Sequence, residues 1–394
     1  MSTKTKKSHK LNKKELTDSE SSSDSENELN KNNSSKDFSI PFLLQESEEW
    51  LIEPFQNKKV NLNQLQQTHT FKENFYDNES CYHISVFCDE NDEYYLFSIL
   101  DDTDDENDEI LIQKHSFNKS ELFRIPRDDI KVSFIRNLFC MSYSDQDLLT
   151  THDDLFKNVE MSYDIDEEEL DEILKMEEYF NKKQYKIGVM YIGEGQTTSK
   201  QYLSNTESSQ DFEDFLEILG DKIELHDWDK FTGGLDTLEN TSGEHSIYTK
   251  YEDFEIMFHI STWLPFNPKD PEQVLRKKHL GNDLVVVVFV DGDTKFDPKT
   301  FLSHQLHLII AIQPVIHEKK KKYRVEISRK NYVKEFEPYL PSPSLFEPED
   351  LRNFLITKAI KGERVVSTSG KFLQRYLTMR KEVLTQIFTG EVDY

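Results

Sequence analysis

Residues 270–290 read DPEQVLRKKHLGNDLVVVVFV, and the change of periodicity inside this stretch decides the fold class. Its first part carries helix signals. Asp270 is placed to accept from first-turn N–H groups, Pro271 suits the first helical position, Gln273 completes a capping box, and Gly281 marks the helix end. From Leu284 to Val290 the chain is an almost unbroken aliphatic run, the pattern of a strand buried on both faces of a sheet covered by helices. A helix feeding such a strand predicts an α/β layer arrangement. Arg276, Lys277, Lys278 and His279 fall in the last turn, where the carbonyl end of the helix favours positive charge, and Asn282 falls at or just past the C-terminus.

The flanking sequence extends this pattern. Lys186 to Ile192 reads as a strand, and Ser208, Gln210 and Asp211 open a helix with Phe212, Phe215, Leu216 and Leu219 on one face, stopped by Gly220. Glu255 to Ser261, Leu306 to Ile312 and the Val325, Ile327 alternation predict further strands. Two helices close the chain, one carrying Leu351, Phe354, Leu355 and Ala359, the other Phe372, Tyr376, Val383, Leu384 and Ile387.

Upstream, His83 to Cys88, Tyr94 to Leu100 and Ile110 to Gln113 are short β-rich runs between polar turns, which predicts an antiparallel meander. Residues 164–179 (DIDEEELDEILKMEEY) set Leu170, Ile173, Leu174 and Tyr179 at helical spacing among acids, an amphipathic helix expected to join the two halves. Residues 1 to about 38 hold too few apolar side chains to offset the entropy of ordering them, and the run Ser21 to Glu26 reads as solvated linker. The expected fold class is α/β (α+β overall). Its expected parts are a low-complexity tail over 1–40, an antiparallel-sheet domain over 45–180, and an α/β domain over 181–390 with a central sheet flanked by helices.

Composition narrows the function. The chain has 394 residues, 36% hydrophobic and 12% aromatic, which is room for two cores, and a net charge of -27. That charge disfavours nucleic acid, whose phosphates need clustered Lys and Arg. Cys81, Cys88 and Cys140 are an odd set without CxxC pairing, which fits neither a disulfide framework nor a zinc site and suits a reducing cytosol. With no apolar run of signal-peptide length or of the roughly 20 residues a bilayer span needs, a cytoplasmic location is expected, with recruitment to the cell cortex or plasma membrane.

The segment RKKHLGND at 276–283 resembles the signature of the Rap-type GTPase-activating domain, shared with tuberin and the Ral-directed activators. In the same order the chain has Ile187 to Tyr191 followed by Gly195-Gln196-Thr197, then Gly233-Gly234-Leu235-Asp236, Glu255 to Thr262, and Leu340-Pro341-Ser342-Pro343. Each is weak alone; in series they resemble the landmarks of that domain across roughly 181–389. More faintly, residues of about 45–180 resemble the half through which Rap-directed activators dimerise, so a homodimer is an expectation of the resemblance.

What the resemblance implies is a protein that accelerates GTP hydrolysis by a Rap-like small GTPase in its GTP form, with Asn282 as an "asparagine thumb". Ras-like proteins orient the attacking water with a Gln. Rap lacks it by this account, and the activator supplies a carboxamide in trans, which can accept from water through oxygen and donate through nitrogen. By the same carry-over His279 holds the helix end or contacts the GTPase, Arg276, Lys277 and Lys278 form the docking edge, and Asp283 joins the positioning set. No cofactor or metal is expected, GTP and Mg belonging to the partner. Lys278 and Leu280 depart from the family's usual Arg and Ile, and the loss of a guanidinium at Lys278 bears on activity because bidentate bonding goes with it.

The residues also admit plainer readings. An Asn after Gly281 can serve only to tolerate an unusual backbone at a helix end, and a non-catalytic GTPase-binding scaffold that has lost activity through Lys278 or other changes is the alternative function. A metal-dependent phosphoester hydrolase using His279, Asn282 and Asp283 lacks a convergent carboxylate set. Gly233 and Gly234 suit a tight turn with Asp236 on the local backbone, and His259 a satisfied core histidine. The acids of 101–109 read as a hairpin tip, Lys319 to Lys322 as a solvated loop. Without a P-loop, the nucleotide belongs to the partner.

Overall fold

The computed structural model describes residues 43–45, 47–56, 70–76, 78–88, 93–100, 109–126, 159–162, 165–179, 182–301 and 303–390. The expected tail, Cys140 and the acidic run 101–108 lie outside them. The described strands form two sheets.

The larger sheet comprises β1 (Trp50–Ile52), β7 (Gln184–Ile192), β8 (Asp221–Glu224), β9 (His245–Tyr251), β10 (Phe254–Ile260), β11 (Val285–Val290), β12 (Leu308–His317) and β13 (Lys320–Lys330), in the order β1-β13-β12-β11-β7-β10-β9-β8, with β14 (Leu345–Phe346) on β13. The central strands β10, β7, β11 and β12 run parallel. Every residue of β11 is buried, as its aliphatic run predicts. Val285, Val287 and Phe289 enter one core with Phe212, Phe215 and Leu355, while Val286, Val288 and Val290 enter a second core on the opposite face with Leu280 and Tyr202. This alternation is the period of two that a strand imposes on its side chains. The α/β fold class follows from these layers.

The smaller sheet is an antiparallel set of β2 (Cys81–Cys88), β3 (Glu93–Leu100), β4 (Glu109–His115), β5 (Ser120–Pro126) and β6 (Val159–Ser162), ordered β5-β4-β3-β2-β6. One face packs on α1 (Thr70–Asn74), α2 (Glu167–Glu178) and the C-terminal helix α7 (Gly370–Thr389). The helix α2 starts on a capping box between Asp166 and Glu169, and its buried Ile173 and Met176 lie against this sheet. It is thus part of that layer as well as the link between the sheets.

Described segments on both sides cross the boundary expected near residue 180. β1 pairs with β13 of the larger sheet, where Glu326, fully buried, accepts from the amides of Leu43 and Leu44. Lys358, buried in α6 (Pro348–Ser367), pairs with Glu53 at 2.8 Å. On the other side, Arg380 of α7 donates to the carbonyls of Ser116 and Lys119 in the smaller sheet's β4–β5 turn. Buried charges that need partners decide these placements, and neither strand nor helix periodicity encodes them.

The lysine run departs from its reading as a loop. Glu318 and Lys319 alone make the turn, both at positive φ as a two-residue hairpin demands, and Lys320 to Lys322 begin β13. Lys321 then reaches Asp211 and Asp214 at 2.7 and 2.8 Å, and Lys322 reaches Glu347 at 3.3 Å.

Candidate functional site

The helix α5 (Val274–Leu280) is shorter than its sequence suggests. Gln273 does not close a capping box. It takes a left-handed backbone, φ 47, and its side chain bonds the amide and carbonyl of Asn267. Asp270 instead accepts from the amide of Val274 at 2.8 Å, so residues 270–273 form a turn ahead of the helix. The preceding helices α3 (Ser199–Leu203) and α4 (Gln210–Leu219) pack on opposite faces of the sheet, and α5 shares the face of α3.

Arg276 does not join the docking edge. It is 1% exposed, and its guanidinium donates to the carbonyls of Leu264 (2.9 Å), Pro265 (3.2 Å), Leu203 (2.8 Å) and Asn205 (2.5 Å). Burial lowers its pKa to about 10, so it stays charged at neutral pH. One turn later Leu280 is also buried; positions four apart share a helix face, and this face is the inward one. Lys278 is exposed and Lys277 half-buried, which leaves these two as the basic residues of the surface.

Past the helix the chain turns through Gly281 into β11. A Cβ on Gly281 would lie 2.5 Å from the Lys277 carbonyl oxygen, too close for any other residue without a backbone shift. Ser303, which the sequence did not single out, donates its hydroxyl to the Gly281 carbonyl. Asn282 is exposed. Its amide nitrogen bonds the His279 carbonyl at 3.1 Å. Asn282 is not among the described non-glycine residues with positive φ, so a strained helix end does not explain why Asn stands here.

Asp283, the next residue, is fully buried and so offers no surface to a partner. Its Oδ2 lies 2.9 Å from Nδ1 of His259 on β10, and its Oδ1 lies 3.9 Å from Nζ of Lys186. The other ring nitrogen of His259 faces the Gly233 carbonyl at 3.2 Å, so both nitrogens have acceptors. Gly188 pairs with His259 on one side and Val286 on the other. A Cβ there would meet Asp283 Oδ2 and Val286 at 3.0 Å, and the bare strand is what lets Asp283 settle.

His279 is half-buried beside this pair, its ring 5.5 Å from that of His259 and edge-on, with Nε2 3.5 Å from the Ser242 hydroxyl. Burial first, then the neighbouring His259, Lys278 and Lys186 charges, hold its imidazole at about 4, so it is neutral near pH 7. Ser242 ends a loop built on Asp236, whose carboxylate accepts from the amides of Leu238, Glu239 and Thr241 and from the Thr241 hydroxyl. These bonds hold the carboxyl well below the usual range. Gly233, at φ 64, starts this loop against Met257 with no room for a side chain. The structural reading of Gly233 to Asp236 is therefore the one the geometry gives. The sequence signal for Ser242 and Ser303 was absent, since each reaches the site across more than twenty residues.

The arrangement is an exposed carboxamide at a helix end, backed by a buried His259–Asp283 pair and flanked by Lys278. Residues 202–381 match the Rap/ran-GAP family model. Over 208 residues the chain is 39% identical to GTPase-activating Rap/Ran-GAP domain-like protein 3 of Danio rerio and 38% identical to the Homo sapiens protein of that name, covering 52% of this chain and 20% of each relative. Signal-induced proliferation-associated 1-like protein 1 of Mus musculus is 35% identical over 222 residues, 55% of this chain and 12% of that one. Among solved structures, the TSC2 GAP domain matches 46% of this chain with 97% of its own, at 28% identity and a TM-score of 0.42.

Over residues 202–381 the chain is thus similar to the Rap/ran-GAP family. It spans 20% of the length of the first of these relatives.

Proposed function

We propose that the chain is a GTPase-activating protein for a Rap-like small GTPase in its GTP form, with Asn282 as the residue it supplies in trans. The observation that carries the reading is the exposed Asn282 carboxamide on a segment locked from behind. Its neighbours on either side are held by Ser303 and His259, and its own side chain makes no hydrogen bond among the described residues. A group with that freedom and that anchoring suits orientation of a water at a partner's γ-phosphate, where positioning supplies most of the rate.

Nucleotide and Mg2+ belong to the partner in this reading, and the chain contributes no cofactor of its own. Lys277, Lys278 and half-buried, neutral His279 form the rim that meets the GTPase, while Arg276 and Asp283 act from inside as scaffold and positioning residues. The five-stranded sheet is the surface proposed for pairing two chains. The site of action is the cytoplasm, with recruitment to the cortex through the partner. No helix among the described residues is long and apolar enough to cross a membrane.

Single-turnover GTP hydrolysis by purified Rap, Ras, Ral and Rheb-type proteins tests the reading, with and without this chain. Acceleration strongest for Rap supports it. Binding without acceleration makes the chain a scaffold, and GTP hydrolysis with no GTPase present makes it a hydrolase.

A further inference from the structure

The helix that presents Asn282 has a second exposed feature at its other end. Val274 and Leu275 are 59% and 53% exposed, and Phe266, in the loop entering the helix, is 40% exposed. Large aliphatic side chains normally enter the core of so short a helix, and here Arg276 and Leu280 have taken that face. The apolar trio is not a frayed end. Arg276, fixed by four carbonyls, lies 5.3 Å from the Phe266 ring, and Asp270 and Gln273 tie the turn between them.

Positions 275 and 279 follow the i, i+4 line of a helix face, with 274 and 278 beside it, and Asn282 follows two residues past the helix end. Read from its N-terminal end, this ridge is apolar at Val274 and Leu275, basic at Lys278, and amide at Asn282. The helix from Val274 to Leu280 rises about 9 Å at 1.5 Å per residue, with Asn282 just beyond its end. An interface of ordinary size covers roughly 800 Å² on each partner and so extends well beyond that distance. An ordinary interface centred on Asn282 therefore reaches the apolar end as well.

We infer that Val274 and Leu275, supported by Phe266, are the apolar anchor that docks the small GTPase, seated on an apolar patch of that GTPase about 10 Å from its γ-phosphate. This rests on the function proposed above and assigns a division of labour along one helix: the N-terminal end binds and selects the partner, the C-terminal end serves the reaction. Apolar side chains exposed in the free chain and buried in the complex add affinity with the area they cover, and a GTPase with a polar surface at that distance is rejected because it leaves desolvated groups unpaired.

The test uses the full chain and a Rap-type GTPase, loaded with GTP for single-turnover hydrolysis and with a non-hydrolysable GTP analogue for binding. The double substitution V274S/L275S is compared with N282A. The expected result is a rise of about tenfold or more in both the half-saturating concentration and the dissociation constant, with the saturated rate retained and the melting temperature unmoved because both side chains are already exposed. N282A shows the converse, a lost rate with binding kept. An unchanged dissociation constant for V274S/L275S overturns the anchor. So does a change from dimer to monomer by light scattering with GTPase binding intact, which assigns the patch to a second copy of the chain. If the wild-type chain binds without accelerating hydrolysis, the anchor is judged on the binding arm alone and only the catalytic reading falls. If it binds no GTPase of the Rap, Ras, Ral and Rheb panel, both fall.

Discussion

His259 and Asp283 meet at 2.9 Å with both side chains buried, and Asp283 is the residue that follows the exposed Asn282. The helix end that carries Asn282 is thereby tied to a strand 24 residues away, and through the second nitrogen of His259 to the Gly233 turn. A buried hydrogen-bonded pair contributes little net stability, yet losing one partner leaves the other buried and unsatisfied, which is costly. Its value here is to fix where the backbone of residue 282 sits.

Replacing His259 with Ala leaves Asp283 Oδ2 buried without its ring partner, and the expected loss is about 2–3 kcal/mol in urea unfolding. Asp283→Asn keeps an acceptor for the ring and costs less, about 1–3 kcal/mol. In both variants the saturated rate of GTP hydrolysis falls more than GTPase binding does. A His259→Ala protein as stable and as active as wild type would remove the pair from the account.

Arg276 separates a structural from a catalytic guanidinium. Lysine has no fork to reach four carbonyls spread over residues 203–205 and 264–265. Arg276→Lys is therefore expected to lose on the order of 2–4 kcal/mol, from acceptors left buried and unpaired, with a lower melting temperature accompanying any loss of rate. An arginine finger would behave otherwise: the rate would collapse while the melting temperature stayed put.

Two histidines set an acid limit on stability. The imidazole of His115, fully buried, is held at about 3, by burial first and then the charges of Arg380 and His83. His279 is held at about 4. Both folded values lie below the unfolded 6.5, so from about pH 6.5 down to about 4 the unfolded chain binds more protons and stability falls as pH falls. The slope is up to about 1.4 kcal/mol per pH unit for His115 and less for partly solvated His279. Urea melts between pH 7 and pH 4.5 measure it, and His115→Gln is expected to flatten the curve. Because His279 is already neutral near pH 7, activity should show no transition attributable to it between pH 6 and pH 8; a midpoint there that vanishes in His279→Gln would contradict its assigned state.

Much of this was legible in the sequence because local rules agreed with the tertiary result. The aliphatic run after Asp283 is buried on both faces, and the helix with Phe212, Phe215, Leu216 and Leu219 begins at Ser209 and stops at Gly220. Arg276 carries two conflicting signals, a basic run that points outward and a helical spacing that points inward. It stands four residues before apolar Leu280, which marks the inward face, but its acceptors come from loops some 12 and 70 residues away and leave no trace in local sequence. Asp283 belongs to the expected positioning set; that it turns inward depends on Gly188 leaving room on β7. The capping box failed because Gln273 adopted a left-handed backbone, which shifted the helix start by about one turn.

Asn282→Ala is the most direct test of the central claim. The substitution removes an exposed side chain with no hydrogen bond to the described residues, so folding, melting temperature and GTPase binding should be unchanged. In single-turnover hydrolysis with a Rap-type GTPase at saturating activator, the account predicts a drop of at least about a hundredfold, the scale on which a lost transition-state donor or positioning group acts. Full acceleration by the Ala variant would contradict it.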